Sequence, residues 1–201
     1  MSEFIHRYLP GPRAETLLLL HGTGGNETSL LGIGQVALPG AGLLSPRGRV
    51  LENGMPRFFR RFAEGVFDVE DVKARAVELG QFVRDMALEH GFDAGRVMAL
   101  GYSNGANIAA AMLLTGAARF PRAVLVRAMV PLEPEPLPDL AGSEVLLETG
   151  LYDPMGTAAQ TKRLRELLKS AGAEVTEHAA RSGHEMTEGD IEAAARWLAR
   201  K

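Results

Sequence analysis

The chain has 201 residues, and 22 lysines and arginines against 25 aspartates and glutamates give it a formal charge of −3. Apolar residues make up 46% and charged residues 23%, the mix of a globular protein rather than of a disordered or fibrous one. The near-neutral balance argues against a nucleic-acid partner, which would show a basic excess on one face. With no cysteine, disulfides, thiolate metal sites and a cysteine nucleophile fall away together.

Met1 to Pro12 lacks the basic start and sustained apolar stretch of a signal peptide. Aliphatic runs such as Leu17–Leu20 are far short of the ~20 residues that cross a bilayer. The expectation is a cytoplasmic protein without a membrane span, folded as one domain over residues 1–201.

Phe4–Leu9 can form an edge strand, and Thr16–Leu20 reads as a strand buried on both faces. Asn26 to Ala37 is a candidate helix, followed by a second aliphatic strand at Ala41–Leu44. Arg47 to Phe67 breaks helical periodicity; Met55, Phe58 and Phe59 beside Arg57, Arg60 and Arg61 make it a candidate lid or pocket wall. Val72, Ala76, Leu79, Val83 and Met86 then form one apolar stripe, with Asp68 as N-cap and Gly91 closing the helix. Val97–Leu100 is a strand, Asn104 to Leu114 a helix, and Ala123–Val130 another strand. The acidic patch Pro131 to Pro138 reads as a surface connection. Strand Val145–Glu148, a helix through Gln160, Leu164, Leu167 and Ala171 closed by Gly172, and a weaker strand at Glu174–His178 follow. Ile191, Ala194, Ala195 and Leu198 mark a last helix with Thr187 as N-cap. This alternation predicts a three-layer α/β fold around a mostly parallel sheet. Ligands in such sheets bind beyond the carboxyl ends of the strands.

Gly101-Tyr102-Ser103-Asn104-Gly105 stands between the strand at 97–100 and the helix at 104–114. This is G-x-S-x-G in strand–turn–helix context, which pushes the Ser103 hydroxyl out at the sheet edge as a nucleophile; an N-cap serine is the plainer alternative. Serine needs a base and an orienting acid. Asp153 follows a strand end in Gly150-Leu151-Tyr152-Asp153-Pro154, and His184 lies in the loop Ser182-Gly183-His184-Glu185, giving the chain order Ser, Asp, His. Glu185 is a rival acid, poorly placed because it adjoins the base. His6, His90 and His178 read as surface or strand-edge residues. The loop His21-Gly22-Thr23-Gly24-Gly25-Asn26 lacks the Gly-Lys-Ser/Thr of a phosphate loop. It fits an oxyanion loop, with the N–H groups of Thr23 and Asn104 as donors and His21 holding the loop in shape.

These motifs, with Ser45-Pro46-Arg47-Gly48 and Gly183-His184-Glu185, resemble the α/β-hydrolase superfamily. Within it the chain is similar to the small carboxylesterases, phospholipases and acyl-protein thioesterases, and looks closest to the bacterial branch related to hydroquinone-responsive hydrolases. The resemblance implies Ser103 as nucleophile, Asp153 as acid, His184 as base and Thr23 and Asn104 as oxyanion donors. It also implies an acyl-enzyme route with no metal or organic cofactor. The chain departs from the family where Met155-Gly156-Thr157 follows Asp153-Pro154 without a further proline, so the loop there need not keep the family's shape; Met155 is a candidate for the pocket wall. A chain this short has no room for a large cap domain, so small or flexible esters are the expected substrates. Thioesterase, lysophospholipase or peptidase action on the same triad, and a catalytically idle binding protein, are the alternatives. The apolar face around Trp197 and Leu198 could serve a homodimer, although plain helix packing accounts for it as well.

Overall fold

The structure is a computed structural model, and it describes residues 4–200. Strands β1 (His6–Leu9), β2 (Thr16–Leu20) and β3 (Gly42–Pro46) come first, with the short helix α1 (Leu31–Ala37) between β2 and β3. Two small hairpins follow, β4 (Val50–Glu52) with β5 (Met55–Arg57) and β6 (Arg61–Ala63) with β7 (Val66–Phe67). Then come α2 (Val69–His90), β8 (Val97–Tyr102), α3 (Asn104–Leu114), β9 (Arg122–Val126), β10 (Glu144–Gly150), α4 (Ala158–Ser170), β11 (Glu174–Ala180) and α5 (Glu188–Leu198). Seven strands form one sheet in the order β1-β3-β2-β8-β9-β10-β11. Only β1 runs antiparallel, against β3.

All five residues of β2 are buried, because the sheet is covered on both sides. Leu18 and Leu20 pack in the cluster that holds Val72, Ala76, Leu79, Val83 and Met86 of α2, together with α3 and α4. Leu17 and Leu19 pack on the other face with Ala37 of α1 and Ala194, Trp197 and Leu198 of α5. The result is the three-layer α/β arrangement with a mostly parallel sheet and no large cap. Asp68 caps α2 by accepting from Asp71 N–H, and Gly91 ends it in the left-handed region at φ 74°. Thr187 and Asp190 form a reciprocal capping box on α5.

Several expected elements differ. The helix expected over 26–37 is confined to Leu31–Ala37. Asn26 Oδ1 accepts from the Thr28 N–H at 2.8 Å, and this local bond competes with helical pairing. The strand expected over 123–130 stops at Val126, because Arg127 takes φ 57° and turns the chain. The strand expected over 41–44 spans Gly42–Pro46, and the edge strand begins at His6. The 47–67 stretch forms the two hairpins, which are tied onto the loops after β2 and β8. Gly24 N–H donates to Pro56 O at 3.0 Å, and Phe58 N–H donates to Asn104 Oδ1 at 2.7 Å.

Candidate active site

Ser103 sits between β8 and α3 at φ 52°, ψ −114°, a strained backbone for a residue with a side chain. Two glycines make this turn possible. A Cβ on Gly105 would lie 1.9 Å from the Leu20 carbonyl oxygen, and one on Gly101 would lie 2.5 Å from that of Gly105. The turn is further held by Ser103 N–H donating to Val126 O at 2.9 Å. Its hydroxyl therefore projects beyond the carboxyl end of the sheet.

Three side chains meet there. His184 Nε2 lies 2.8 Å from Ser103 Oγ, and His184 Nδ1 lies 2.8 Å from Asp153 Oδ2. The carboxylate selects the tautomer with Nδ1 protonated, so Nε2 accepts from the serine hydroxyl. Burial pulls the Asp153 carboxyl upward, but hydrogen bonds from His184 and from the N–H groups of Met155 and Gly156 outweigh it and leave the group below its ordinary range. Gly156 is required close by, since a Cβ there would lie 2.8 Å from Asp153 Oδ2. Glu185 accepts from the Gly183 N–H at 3.0 Å instead of facing the imidazole.

The loop after β2 stands opposite. Thr23, Ser103, Asn104 and His184 line one cleft together. Asn104 opens α3, so its N–H has no carbonyl partner within the helix. His21 is buried and bridges Gly22 O at 2.7 Å and the Gly48 N–H at 3.0 Å, donating through Nδ1 and accepting at Nε2. Burial holds its pKa down, which suits a neutral structural ring.

Residues 10–200 match the Phospholipase/Carboxylesterase family. The chain belongs to that family. It is 46% identical to MhqD of Bacillus subtilis (strain 168), named as a hydrolase, over 96% of each chain. The Bacillus cereus carboxylesterase structure matches with a TM-score of 0.94 at 45% identity, covering 98% of this chain and 93% of that one. A Mesorhizobium loti carboxylesterase matches with a TM-score of 0.90 at 33% identity, over 98% and 94% of the two chains. Among the described residues of this phospholipase/carboxylesterase family member, no helix is long and apolar enough to cross a membrane.

The pocket residues expected from the sequence divide. Met155 lines the cleft at Ser103. Phe58 and Phe59 do not: they are 3% and 0% exposed in the core, where Phe59 meets Phe67 edge-on. Their apolar rings follow β5 into the protein, while Arg57 and Arg61 reach the cleft wall. Met55 is exposed, beside the Gly24 turn. A second, apolar hollow lies on the other side of Thr23, between Leu30, Ile33, Tyr102 and Met186. Trp197 and Leu198 lie on the inner face of α5, buried against the sheet, so they pack the core and present no broad face to a second copy.

Arg127 escaped the sequence reading. Its side chain is fully buried and pairs with Asp190 at 2.7 Å. It also donates to Ser182 Oγ at 2.8 Å, Gly183 O at 3.0 Å and Glu185 O at 3.0 Å. Tyr102 Oη adds a bond to His184 O at 3.1 Å. The loop carrying His184 is thus gripped on both sides of the histidine. The available signal was a lone charge interrupting the aliphatic run 123–130.

Proposed function

We propose that the protein is a serine carboxylesterase acting on small-molecule esters within a single domain, through an acyl-enzyme on Ser103. His184 Nε2 removes the Ser103 proton as Oγ attacks the ester carbonyl. Asp153 keeps the imidazole in the correct tautomer and stabilises the imidazolium. The N–H groups of Thr23 and Asn104 receive the developing oxyanion, each such donor contributing roughly 10²–10³ in rate. His184 then protonates the leaving alkoxide and the C–O bond breaks. In the second half, the same nitrogen takes a proton from water, hydroxide adds to the acyl carbonyl, and Ser103 Oγ leaves with its proton returned.

The observation that carries this reading is the unbroken relay from Ser103 through His184 to Asp153, each link 2.8 Å. It stands at the strained turn of a chain whose family is named for ester cleavage. Ser103→Ala should lower 4-nitrophenyl ester hydrolysis by at least about 10³-fold and abolish fluorophosphonate labelling, with the circular dichroism spectrum unchanged. Hydrolysis and labelling that persist in the alanine variant would reject the assignment.

A further inference from the structure

The cleft beside Ser103 is lined by two arginines that share one ion-pair partner. Arg57, at the end of β5, and Arg61, at the start of β6, both line it. The Arg57 side chain is 3% exposed. Its Nη1 donates to Thr23 Oγ1 at 2.7 Å and its Nε to Phe59 O at 3.3 Å. Arg61 Nε donates to Glu52 Oε1 at 2.9 Å. Glu52 is the shared counter-ion, and its second oxygen lies 3.2 Å from Arg57 without hydrogen-bond geometry. Two guanidiniums therefore share one carboxylate. Among the described residues, neither Arg57 Nη2 nor the two Nη groups of Arg61 have an acceptor. Burial first, and then the neighbouring Arg61 charge, push the Arg57 guanidinium below its ordinary value.

The other charged groups at the cleft do not take up these donors. Arg127 is matched by Asp190. Glu64 is exposed on the β6–β7 turn and makes no ion pair with either arginine. A clamp built only to hold the hairpins would need one arginine for one glutamate. A second one, partly exposed and with free donors in the lining of the cleft that holds Ser103, leaves hydrogen-bonding capacity that an anion can take up. The planar fork of guanidinium N–H groups fits a carboxylate, which can take two of them at once.

We propose that Arg57 and Arg61 select anionic substrates, namely esters bearing a carboxylate a few bonds from the scissile carbonyl. The proposal rests on the esterase reading above and names its substrate class. The carboxylate can belong to the acyl group or to the alcohol, and the assay separates the two. On the acyl side, 4-nitrophenyl hemiglutarate is compared with neutral 4-nitrophenyl valerate. On the alcohol side, 3-acetoxybenzoate is compared with its methyl ester. The readout is the anionic-to-neutral ratio of kcat/KM in wild type and in Arg61→Gln. Charge-assisted hydrogen bonds of this kind correspond to a fall in that ratio of about 10- to 100-fold for one pair. Arg61→Lys should restore part of it, and Arg61→Glu should reverse the preference. Ratios that are the same in wild type and Arg61→Gln for both pairs overturn the proposal. If Ser103→Ala kills hydrolysis while the ratios stay flat, only the anion site fails. If Ser103→Ala remains active, the esterase reading itself fails. As a readout free of turnover, glutarate should raise the Tm of wild type but not of Arg61→Gln; no shift in either protein counts equally against the site.

Discussion

Arg127→Met tests whether the buried arginine sets the position of His184 or only holds the protein together. The change removes the pair with Asp190 at 2.7 Å and the bonds to Ser182, Gly183 and Glu185. It leaves Asp190, with a fully buried side chain, as an uncompensated charge. Breaking a buried pair from one side costs about 3–5 kcal/mol. The freed 182–185 loop also no longer fixes the imidazole, and a misplacement of ~1 Å lowers kcat by roughly 10²-fold. The two effects separate in the double variant Arg127→Met/Asp190→Asn. Asparagine carries no charge and keeps an oxygen to accept from the Thr187 N–H, the capping bond that spans 2.7 Å in the wild type. The double variant should therefore recover most of the lost urea-unfolding free energy, while its kcat stays low at a temperature where circular dichroism reports full folding. KM for a neutral 4-nitrophenyl ester should change little. If kcat returns along with stability, Arg127 acts through folding alone and the positioning argument is wrong.

Asp153→Asn keeps the side-chain shape but supports the wrong imidazole tautomer, so kcat should fall about 10⁴-fold with KM nearly unchanged; steady-state kinetics decide, and a loss under about tenfold would remove Asp153 from the relay. Gly105→Ala places a methyl 1.9 Å from Leu20 O, a backbone atom that cannot swing aside. The variant should lose several kcal/mol, and a thermal melt within about 2 °C of wild type would contradict the packing. The carboxyl of Glu148, facing His178 at 2.5 Å with Asp190 and Arg127 near it, is pushed by burial up to about 7. It keeps its proton in the folded chain from its usual 4.5 to about 7, where the unfolded chain has released it, so stability is greatest below this window and falls as pH rises through it. Glu148→Gln cannot ionise and should flatten a fall of roughly 1–3 kcal/mol, after allowance for screening, in urea titrations at about pH 5 and pH 8; parallel profiles for the two proteins would rule the titration out.

Most of the sheet was legible because its signals are local. Thr16–Leu20 announces a strand covered on both faces, and Asp68 with Gly91 brackets α2 by cap chemistry that needs no tertiary information. The glycines around Ser103 are local as well, since both lie within two residues of it. What failed had both local and distant causes. The turn at 26–30 wins over helix through the side chain of Asn26, while α1 itself keeps Gly34, where a Cβ would lie 2.8 Å from Leu19 Cδ1. Phe58 and Phe59 stand beside arginines in the sequence, yet their rings pack into the core while the buried Arg57 side chain lines the cleft.

The sheet order explains why the residue that escaped notice lies at the end of β9. Ser103 leaves β8, Asp153 follows β10 and His184 follows β11 at the far edge, three strands from β8. The loop bearing the histidine must therefore cross the ends of β10 and β9 to reach the serine. A loop held only at its two ends would meet Ser103 for part of the time, because each unfixed residue retains about 1–2 kcal/mol of backbone freedom. β9 ends directly beneath that crossing and contributes no member of the relay, which leaves its last turn free for another task. Arg127 occupies that turn, takes φ 57° to leave the strand, and places five N–H donor contacts against residues 182, 183, 185 and 190. The strand lying between those that lead to Ser103 and Asp153 thus holds the His184 loop, and a charge inside an aliphatic run is what that arrangement looks like in the sequence.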